Sequence, residues 1–287
     1  MKSVILLLLV ACTLYSQDVV KLWDNDPPYS KPNSLQEEMI ESWGVPCVKN
    51  VTIPTVTIYD AEGERSGHAM IVCPGGGYEV QSFVAEGQTI AEYLASQGIV
   101  AAVLKYRLPL TEASDQPHLL PITDARRAIS LMKSLADTYA VNTKVGIMGF
   151  SAGGHLATTA SVHLSDNPDE NPDFSALIYP VTTLGENNQR WLEQRLFHRS
   201  MTSEEKMYYD LVKHVSASTP PAFLLHAYDD SLVPIKESLL YAQAMFKKNR
   251  PVEMHLFADG EHGFGPGRAK DGTDQWLGLL GNWIKRQ

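Results

Sequence analysis

The chain has 287 residues, of which 44% are hydrophobic and 20% are charged, so it is long enough for one large α/β domain and short for two. Its formal net charge of -9 argues against nucleic acid as a partner, and the lack of any run of Lys or Arg argues against an anionic membrane surface. We therefore expect a substrate that is not polyanionic.

The N-terminal residues have the order of a secretory signal peptide. Lys2 is followed by the apolar run VILLLLVA (residues 4–11) and then by small and polar residues, the usual order of charge, apolar region and cleavage zone. The run is too short to span a membrane, so we predict export, with a signal peptide over residues 1–16 and a single domain over 17–287. An alternative is a lipoprotein box in the string LVAC, where Cys12 would carry a lipid anchor.

Short apolar segments alternate with amphipathic helical segments from residue 49 onwards. The predicted strands cover residues 49–59, 68–73, 99–104, 144–150, 176–179, 222–228 and 252–257. The predicted helices cover residues 86–98, 121–136, 152–163, 236–247 and 275–286. Because the strands are continuously apolar and separated by helices, the pattern predicts an α/β fold with a mostly parallel central sheet and helices on both faces.

One stretch, at about residues 182–220, breaks this alternation and is rich in Glu, Arg and Tyr. We predict that it is a small helical insertion. Open α/β sheets place their binding sites at the carboxyl ends of the strands, and we expect the insertion to lie over those ends.

The string GFSAGGHLA places Ser151 between an apolar strand and a helical segment, with Gly149 and Gly153 two residues to either side. This is the pattern of a nucleophile elbow, in which glycines allow a sharp strand-to-helix turn that leaves the serine exposed. The alternative is a helix start at which the serine hydroxyl caps its own first turn.

The remaining parts of a serine nucleophile site follow in the expected chain order of serine, acid and histidine. Asp229 and Asp230 come directly after the strand in LLHAYDDSLVP, and His262 follows the next strand in FADGEHGFG. A neutral imidazole is needed to take the serine proton, and a carboxylate is needed to hold that imidazole. Taken singly, the aspartates would be a turn or a helix cap and the histidine a solvated loop residue.

Backbone amides must stabilise the negative charge that develops on the substrate oxygen. One amide comes from the residue after the nucleophile, here Ala152. The second is expected from the string CPGGGYE (residues 73–79), whose glycines allow close approach of a ligand. We select Gly76 and Gly77, and we refer to residues 74–79 as the glycine loop.

No metal or cofactor is predicted, because the sequence contains no CxxC, no HExxH and no cluster of His and Cys. Within the predicted domain the cysteines are Cys47 and Cys73. They would pair in an oxidising compartment or stay as two buried thiols.

Several long strings resemble, in order, secreted bacterial α/β-hydrolase esterases of the acetylxylan/feruloyl esterase type. They are CPGGGYEVQSFVAEGQTIAEYLASQGIVAAVLKYRLP, PITDARRAI, VGIMGFSAGGHLA, IYPVTT, PPAFLLHAYDDSLVP and FADGEHGFG. The resemblance implies an α/β-hydrolase fold and hydrolysis of acyl esters on plant polysaccharides or their oligomers. It also implies that Ser151 is the nucleophile, Asp230 the acid and His262 the base. One departure is Pro74, which stands where related esterases have the histidine of an HGGG motif.

Two alternatives stay open for the function. One is a different hydrolase on the same triad, such as a serine peptidase or a small-molecule esterase. The other is a non-catalytic binding module, against which stands the presence of nucleophile, acid, base and glycine loop together. The acyl group is left open by the resemblance.

Other residues invite a functional interpretation. Tyr78 follows the glycines and is a candidate for substrate binding, as a wall of the acyl pocket, against simple packing. We interpret His155, one helical turn after Ser151, as structural, and His226 as a core residue within a strand. Asp124 is expected to form an ion pair with Arg126 or Arg127 on the same helix.

Overall fold

The computed structural model describes residues 17–142 and 144–287. Within them ten strands form: β1 Gln17–Lys21, β2 Glu38–Ser42, β3 Val45–Lys49, β4 Thr55–Tyr59, β5 His68–Cys73, β6 Val100–Lys105, β7 Lys144–Phe150, β8 Ser175–Ile178, β9 Ala222–Ala227 and β10 Val252–Phe257. Seven α-helices accompany them: α1 Thr89–Ser96, α2 Leu120–Ser134, α3 Ala152–Val162, α4 Glu186–Leu192, α5 Ser203–Tyr208, α6 Lys236–Lys247 and α7 Trp276–Ile284.

Eight strands form one sheet in the order β1-β4-β6-β5-β7-β8-β9-β10. β4 is antiparallel to both β1 and β6, and all other neighbours are parallel. The central strands are continuously apolar because both faces of the sheet are covered. The prediction of a mostly parallel sheet is therefore confirmed.

Two hydrophobic cores lie on opposite faces of this sheet. One core contains side chains of α2, α3 and α6, and the other contains side chains of α1 and α7. Alternate residues of a single strand contribute to each, as Ile147 and Met148 of β7 do. This is the predicted arrangement of helices on both faces.

The N-terminal part differs from the prediction. Residues 49–59 were predicted as one extended segment, but β3 ends at Lys49 because Asn50 takes a left-handed conformation with φ 55°. β2 and β3 form a separate antiparallel hairpin, and its turn consists of Trp43 and Gly44, both with positive φ. An isolated bridge between Val48 and Gln81 joins this hairpin to the chain just after the glycine loop.

The stretch 182–220 contains α4, α5, a single π-helical turn at Glu193–Phe197 and a 3₁₀ turn at Leu211–His214. Trp191 of α4 donates a hydrogen bond from Nε1 to the carbonyl of Gly77 over 3.2 Å. This stretch therefore contacts the glycine loop.

Cys47 and Cys73 are both buried and free, so they do not form a disulfide. Among the helices within residues 17–142 and 144–287, none is long and apolar enough to cross a membrane. The predicted signal peptide at residues 1–16 and the alternative anchor at Cys12 lie outside the described residues.

Candidate active site

Ser151 lies at the sharp turn between β7 and α3, with φ 52° and ψ -114°. A Cβ on Gly149 would lie 2.0 Å from the carbonyl oxygen of Gly153, and one on Gly153 would lie 2.1 Å from that of Cys73. Both glycines are therefore required by the close packing of strand, turn and helix. The Ser151 side chain makes no capping hydrogen bond to its helix, so the alternative of a helix cap is wrong.

The Ser151 hydroxyl instead faces His262. Ser151 Oγ lies 2.8 Å from His262 Nε2, and His262 Nδ1 lies 2.7 Å from Asp230 Oδ2. A carboxylate only accepts hydrogen bonds, so Nδ1 carries the proton and Nε2 is free to accept from the serine hydroxyl. The structure thus brings the three predicted residues into one hydrogen-bonded chain.

Asp230 is 5% exposed and receives several hydrogen bonds. Its Oδ1 accepts from the amides of Leu232 at 3.0 Å and Val233 at 2.8 Å, while Oδ2 also lies 3.2 Å from His226 Nε2. Burial of Asp230 opposes its ionisation, but the hydrogen bonds from His226, His262 and the Val233 amide outweigh it and hold the pKa of Asp230 well below its usual range.

His226 is a fully buried strand residue, as predicted, yet it also contacts the acid. Its Nε2 lies 2.8 Å from the Val233 carbonyl, and its Nδ1 lies 2.8 Å from Ser238 Oγ. The carbonyl and the carboxylate both accept, so Nε2 carries the proton and Ser238 donates to Nδ1. Sequence analysis missed this contact, because His226 lies within β9 and no motif links it to Asp230.

Asp229 points elsewhere. Its side chain is exposed, and its Oδ1 accepts a hydrogen bond from the amide of Glu261 over 2.7 Å. Of the two neighbouring aspartates, Asp230 is the one that reaches His262.

The glycine loop lies beside the nucleophile. A Cβ on Gly75 would lie 3.2 Å from the Cβ of Ser151. Gly76 and Gly77 have φ values of 127° and 66°, in the region that favours glycine. No described residue accepts a hydrogen bond from the amides of Gly76, Gly77 or Ala152, and their role as oxyanion donors stays a prediction. At Pro74, the backbone carbonyl accepts a hydrogen bond from the Tyr106 hydroxyl over 2.8 Å.

Tyr78 is 3% exposed, and its ring stacks on Trp191 with centroids 5.5 Å apart. Its hydroxyl lies 2.8 Å from His155 Nδ1. The structure therefore places Tyr78 in a packed aromatic cluster beneath Trp191, and its contact with substrate stays a prediction. Burial lowers the pKa of His155 to about 3, which agrees with the structural interpretation of this histidine because it keeps the ring neutral.

The ion pair predicted for Asp124 is wrong in its partner. Asp124 pairs with Arg107, whose Nη2 lies 2.7 Å from Oδ1, and both side chains are buried. Arg126 donates instead to the His163 carbonyl and Arg127 to the Leu22 carbonyl. Arg126 at i+2 lies on a different side of the helix and Arg127 at i+3 is bonded elsewhere, whereas Arg107, which follows β6, reaches Asp124.

Two further buried residues that sequence analysis missed, Glu86 and Tyr179, lie between the glycine loop and residues 259–265, which we call the histidine loop. The only signal for Glu86 is a single charge within the small and apolar string VAEG. In the described part of the chain there is no group of three His, Cys, Asp or Glu side chains that could hold a metal ion.

The chain is similar in sequence to known esterases and xylanases. Residues 57–245 match the BD-FAE family. The acetylxylan esterase of Xylanibacter ruminicola is 35% identical over 227 residues, covering 77% of this chain and 46% of that protein. Endo-1,4-beta-xylanase B of Butyrivibrio fibrisolvens is 34% identical over 221 residues, covering 74% of this chain and 34% of that protein. The chain thus spans less than half the length of these two curated relatives.

Solved structures give the same result for the fold. The crystal structure of an acetyl ester-xyloside bifunctional hydrolase from Caldicellulosiruptor lactoaceticus matches with a TM-score of 0.77 and 32% identity, covering 94% of this chain and 96% of that chain. The predicted α/β-hydrolase fold and the resemblance to esterases of the acetylxylan/feruloyl type are confirmed. With residues 57–245 matched, the chain belongs to the BD-FAE family.

Proposed function

We propose that the chain is a serine esterase that removes acetyl or related acyl groups from xylan-type polysaccharides or oligosaccharides through an acyl-enzyme. The observation that carries this proposal is the chain of two short hydrogen bonds from Ser151 through His262 to Asp230. Such an arrangement activates a serine hydroxyl for attack on an acyl carbon.

In the proposed first step, Ser151 Oγ attacks the ester carbonyl carbon while His262 Nε2 takes the hydroxyl proton. Asp230 stabilises the resulting imidazolium, because its carboxylate accepts the Nδ1 proton and is held ionised by its own donors. The amides of Ala152 and of Gly76 or Gly77 would donate to the oxyanion.

In the following steps, His262 returns its proton to the sugar oxygen as the carbon–oxygen bond breaks, and the acyl group stays on Ser151. Water then attacks the acyl-enzyme, with His262 taking one of its protons and passing it back to Ser151 Oγ. The products are a carboxylic acid and the free sugar hydroxyl, and the enzyme returns to its starting protonation state.

Two similar proteins support an acylated carbohydrate as substrate. The one matched by sequence is an acetylxylan esterase, and the one matched by structure is an acetyl ester-xyloside bifunctional hydrolase. The formal net charge of -9 is consistent with such a substrate, because it favours an uncharged molecule over a polyanion.

A fluorophosphonate probe tests the nucleophile. The purified chain should be labelled on Ser151, and the Ser151→Ala variant should not be labelled. A folded chain that resists labelling would support the non-catalytic binding module, and labelling at another serine would contradict the proposed nucleophile.

A substrate panel tests the acyl group and the leaving group. We expect acetyl release from acetylated xylo-oligosaccharides and no comparable cleavage of peptides. We also expect kcat/KM on p-nitrophenyl acetate to exceed that on the octanoate by at least about tenfold, or ~1.4 kcal/mol, because we expect a small insertion to leave an open cleft for the sugar and a small acyl site. Preference for octanoate or for peptides would contradict the proposed substrate class.

We also propose that the chain is exported, supported by the charged start and apolar run at residues 4–11. Expression in a bacterial host followed by N-terminal sequencing tests it. A mature N-terminus at Gln17 is expected, a lipidated Cys12 would select the anchored alternative, and an intact N-terminus in the cytoplasm would contradict export.

A further inference from the structure

Glu86 is a buried carboxylate for which the proposed reaction assigns no role. It is 6% exposed and lies in the π-helical turn Val84–Gln88 that precedes α1. No Lys or Arg of the described residues forms an ion pair with it. A buried carboxylate without a cation is costly.

Both oxygens of Glu86 hold parts of the site. Oε2 accepts from the amide of Gly75 over 2.8 Å, immediately before the predicted oxyanion donors. Oε1 accepts from the hydroxyl of Tyr179 over 2.7 Å. The Tyr179 oxygen in turn accepts from the amide of Gly265 over 3.1 Å, three residues after His262.

These contacts form a tether of three hydrogen bonds across the site, from the glycine loop to the histidine loop. The ring of Tyr179 also packs against His262 with centroids 5.0 Å apart at 61°. Oxyanion donors and base must be held together to within a fraction of an ångström for efficient catalysis. The tether fixes their relative position without touching the substrate.

We propose that Glu86 is a positioning residue that ties the glycine loop to the histidine loop and supplies a second negative charge to the imidazolium that forms at His262. The inference rests on the proposed role of His262 as the base. Burial raises the pKa of Glu86, and hydrogen bonds from Tyr179 and Gly75, together with the charge of His262, work in the opposite direction. A protonated His262 therefore favours the ionised form of Glu86.

Two substitutions both break the tether at Tyr179 and differ in the charge that remains. Glu86→Gln keeps an oxygen for the Gly75 amide but places an NH2 group, which cannot accept, against the Tyr179 hydroxyl, and it removes the charge. Tyr179→Phe removes the same link and keeps the charge. The matched control is Tyr241→Phe, because the Tyr241 hydroxyl is buried without a hydrogen-bond partner among the described residues and lies on α6.

The experiment measures kcat and kcat/KM for p-nitrophenyl acetate on the full chain as a function of pH. We expect kcat to fall at least about tenfold in both test variants with little change in KM, as for an interaction that matters in the transition state. The acid limb of the kcat/KM profile should move to lower pH in Glu86→Gln and stay in place in Tyr179→Phe. Glu86→Asp should return the limb towards its wild-type position.

An unmoved acid limb in a folded Glu86→Gln variant would overturn the role of the charge. A wild-type kcat in both variants would overturn the tether. Thermal unfolding and fluorophosphonate labelling establish that each variant is folded. Failure of the wild-type chain itself to be labelled at Ser151 would instead contradict the proposed function, so the two failures are distinguishable.

Discussion

Asp230 and Glu86 are buried carboxylates whose surroundings move their pKa values in opposite directions. Asp230 contacts His262 directly, whereas Glu86 bonds to Tyr179, whose ring packs against His262. Asp230 follows β9 and accepts hydrogen bonds from two histidines and two backbone amides. Together these lower its pKa despite burial. Glu86 accepts only one amide and one tyrosine hydroxyl, and there burial prevails and raises the pKa.

The difference shows that burial alone does not decide the charge of an active-site carboxylate. The number and kind of donors decide it, because each donor to the ionised form offsets part of the lost hydration. Asp230 is built to stay an anion throughout the reaction. Glu86 has fewer donors, so burial decides the direction of its pKa shift.

The largest effect is expected from the acid itself. Asp230→Asn leaves the geometry in place but offers His262 an amide, and we expect turnover to fall on the order of 10⁴-fold, as for the corresponding change in a protease triad. Asp229→Asn is the matched control, since its exposed side chain holds only the Glu261 amide. Steady-state kinetics on p-nitrophenyl acetate measures both, and the reverse ranking would assign the acid to Asp229.

A smaller loss of activity is expected from Gly75→Ala, which changes the residue that donates to Glu86. The new Cβ would lie 2.6 Å from Glu86 Oε2 and 2.8 Å from the carbonyl oxygen of Phe150, which is backbone and cannot yield cheaply. Displacement of the glycine loop should lower kcat by about 10²-fold, the usual loss for one oxyanion donor.

The control for this change is Gly185→Ala, where a Cβ would meet nothing within 4 Å. It should keep wild-type kcat and thermal stability. A wild-type kcat in Gly75→Ala would show that the glycine loop tolerates displacement and that its contact with Glu86 does not matter for catalysis.

The positions of Ser151, Asp230 and His262 could be predicted from the sequence, because the patterns that indicate them are local. Ser151, Asp230 and His262 lie in the segments that follow β7, β9 and β10, and the carboxyl ends of parallel strands meet at one edge of the sheet. The glycines around Ser151 mark the turn for the same reason. Local strings of this kind specify both the element and the position of the functional residue within it.

Glu86 and Tyr179 could not be predicted, because neither lies in a motif that marks a functional position. The Ser151–His262 contact spans 111 positions and the Glu86–Tyr179 contact 93, so distance along the chain is not what separates them. Asp124 fails for the same reason, because no motif identifies Arg107 as its partner. Contacts of this kind depend on how the strands and helices pack in three dimensions, which the local sequence does not specify.

A third prediction uses the opposite pKa shifts. The lowered pKa of Asp230 contributes stability above its unfolded value of about 3.9 and loses it as the pH falls. The pKa of Glu86 is raised in the folded chain, so as the pH rises past about 4.3 this residue ionises first in the unfolded chain. The wild type therefore loses stability relative to Glu86→Gln as the pH rises.

Chemical denaturation at several pH values measures both trends. The difference in unfolding free energy between wild type and Asp230→Asn should narrow in acid, while Glu86→Gln should gain on wild type as the pH rises. Parallel curves for all three proteins would contradict the assigned directions.

The smallest effect is expected one layer behind Asp230, at Ser238. Its hydroxyl donates to His226 Nδ1 and so fixes the tautomer whose Nε2 proton faces Asp230. Ser238→Ala should cost about 1 kcal/mol of stability, the typical value of one buried hydrogen bond, and lower kcat/KM less than tenfold. The matched control is Ser175→Ala, because the buried Ser175 hydroxyl has no hydrogen-bond partner among the described residues, so its removal should leave stability and activity unchanged. Thermal unfolding and kinetics compare the two. Equal losses in both variants would show that His226 holds its tautomer without Ser238, and a loss as large as that of Asp230→Asn would place Ser238 within the catalytic unit itself.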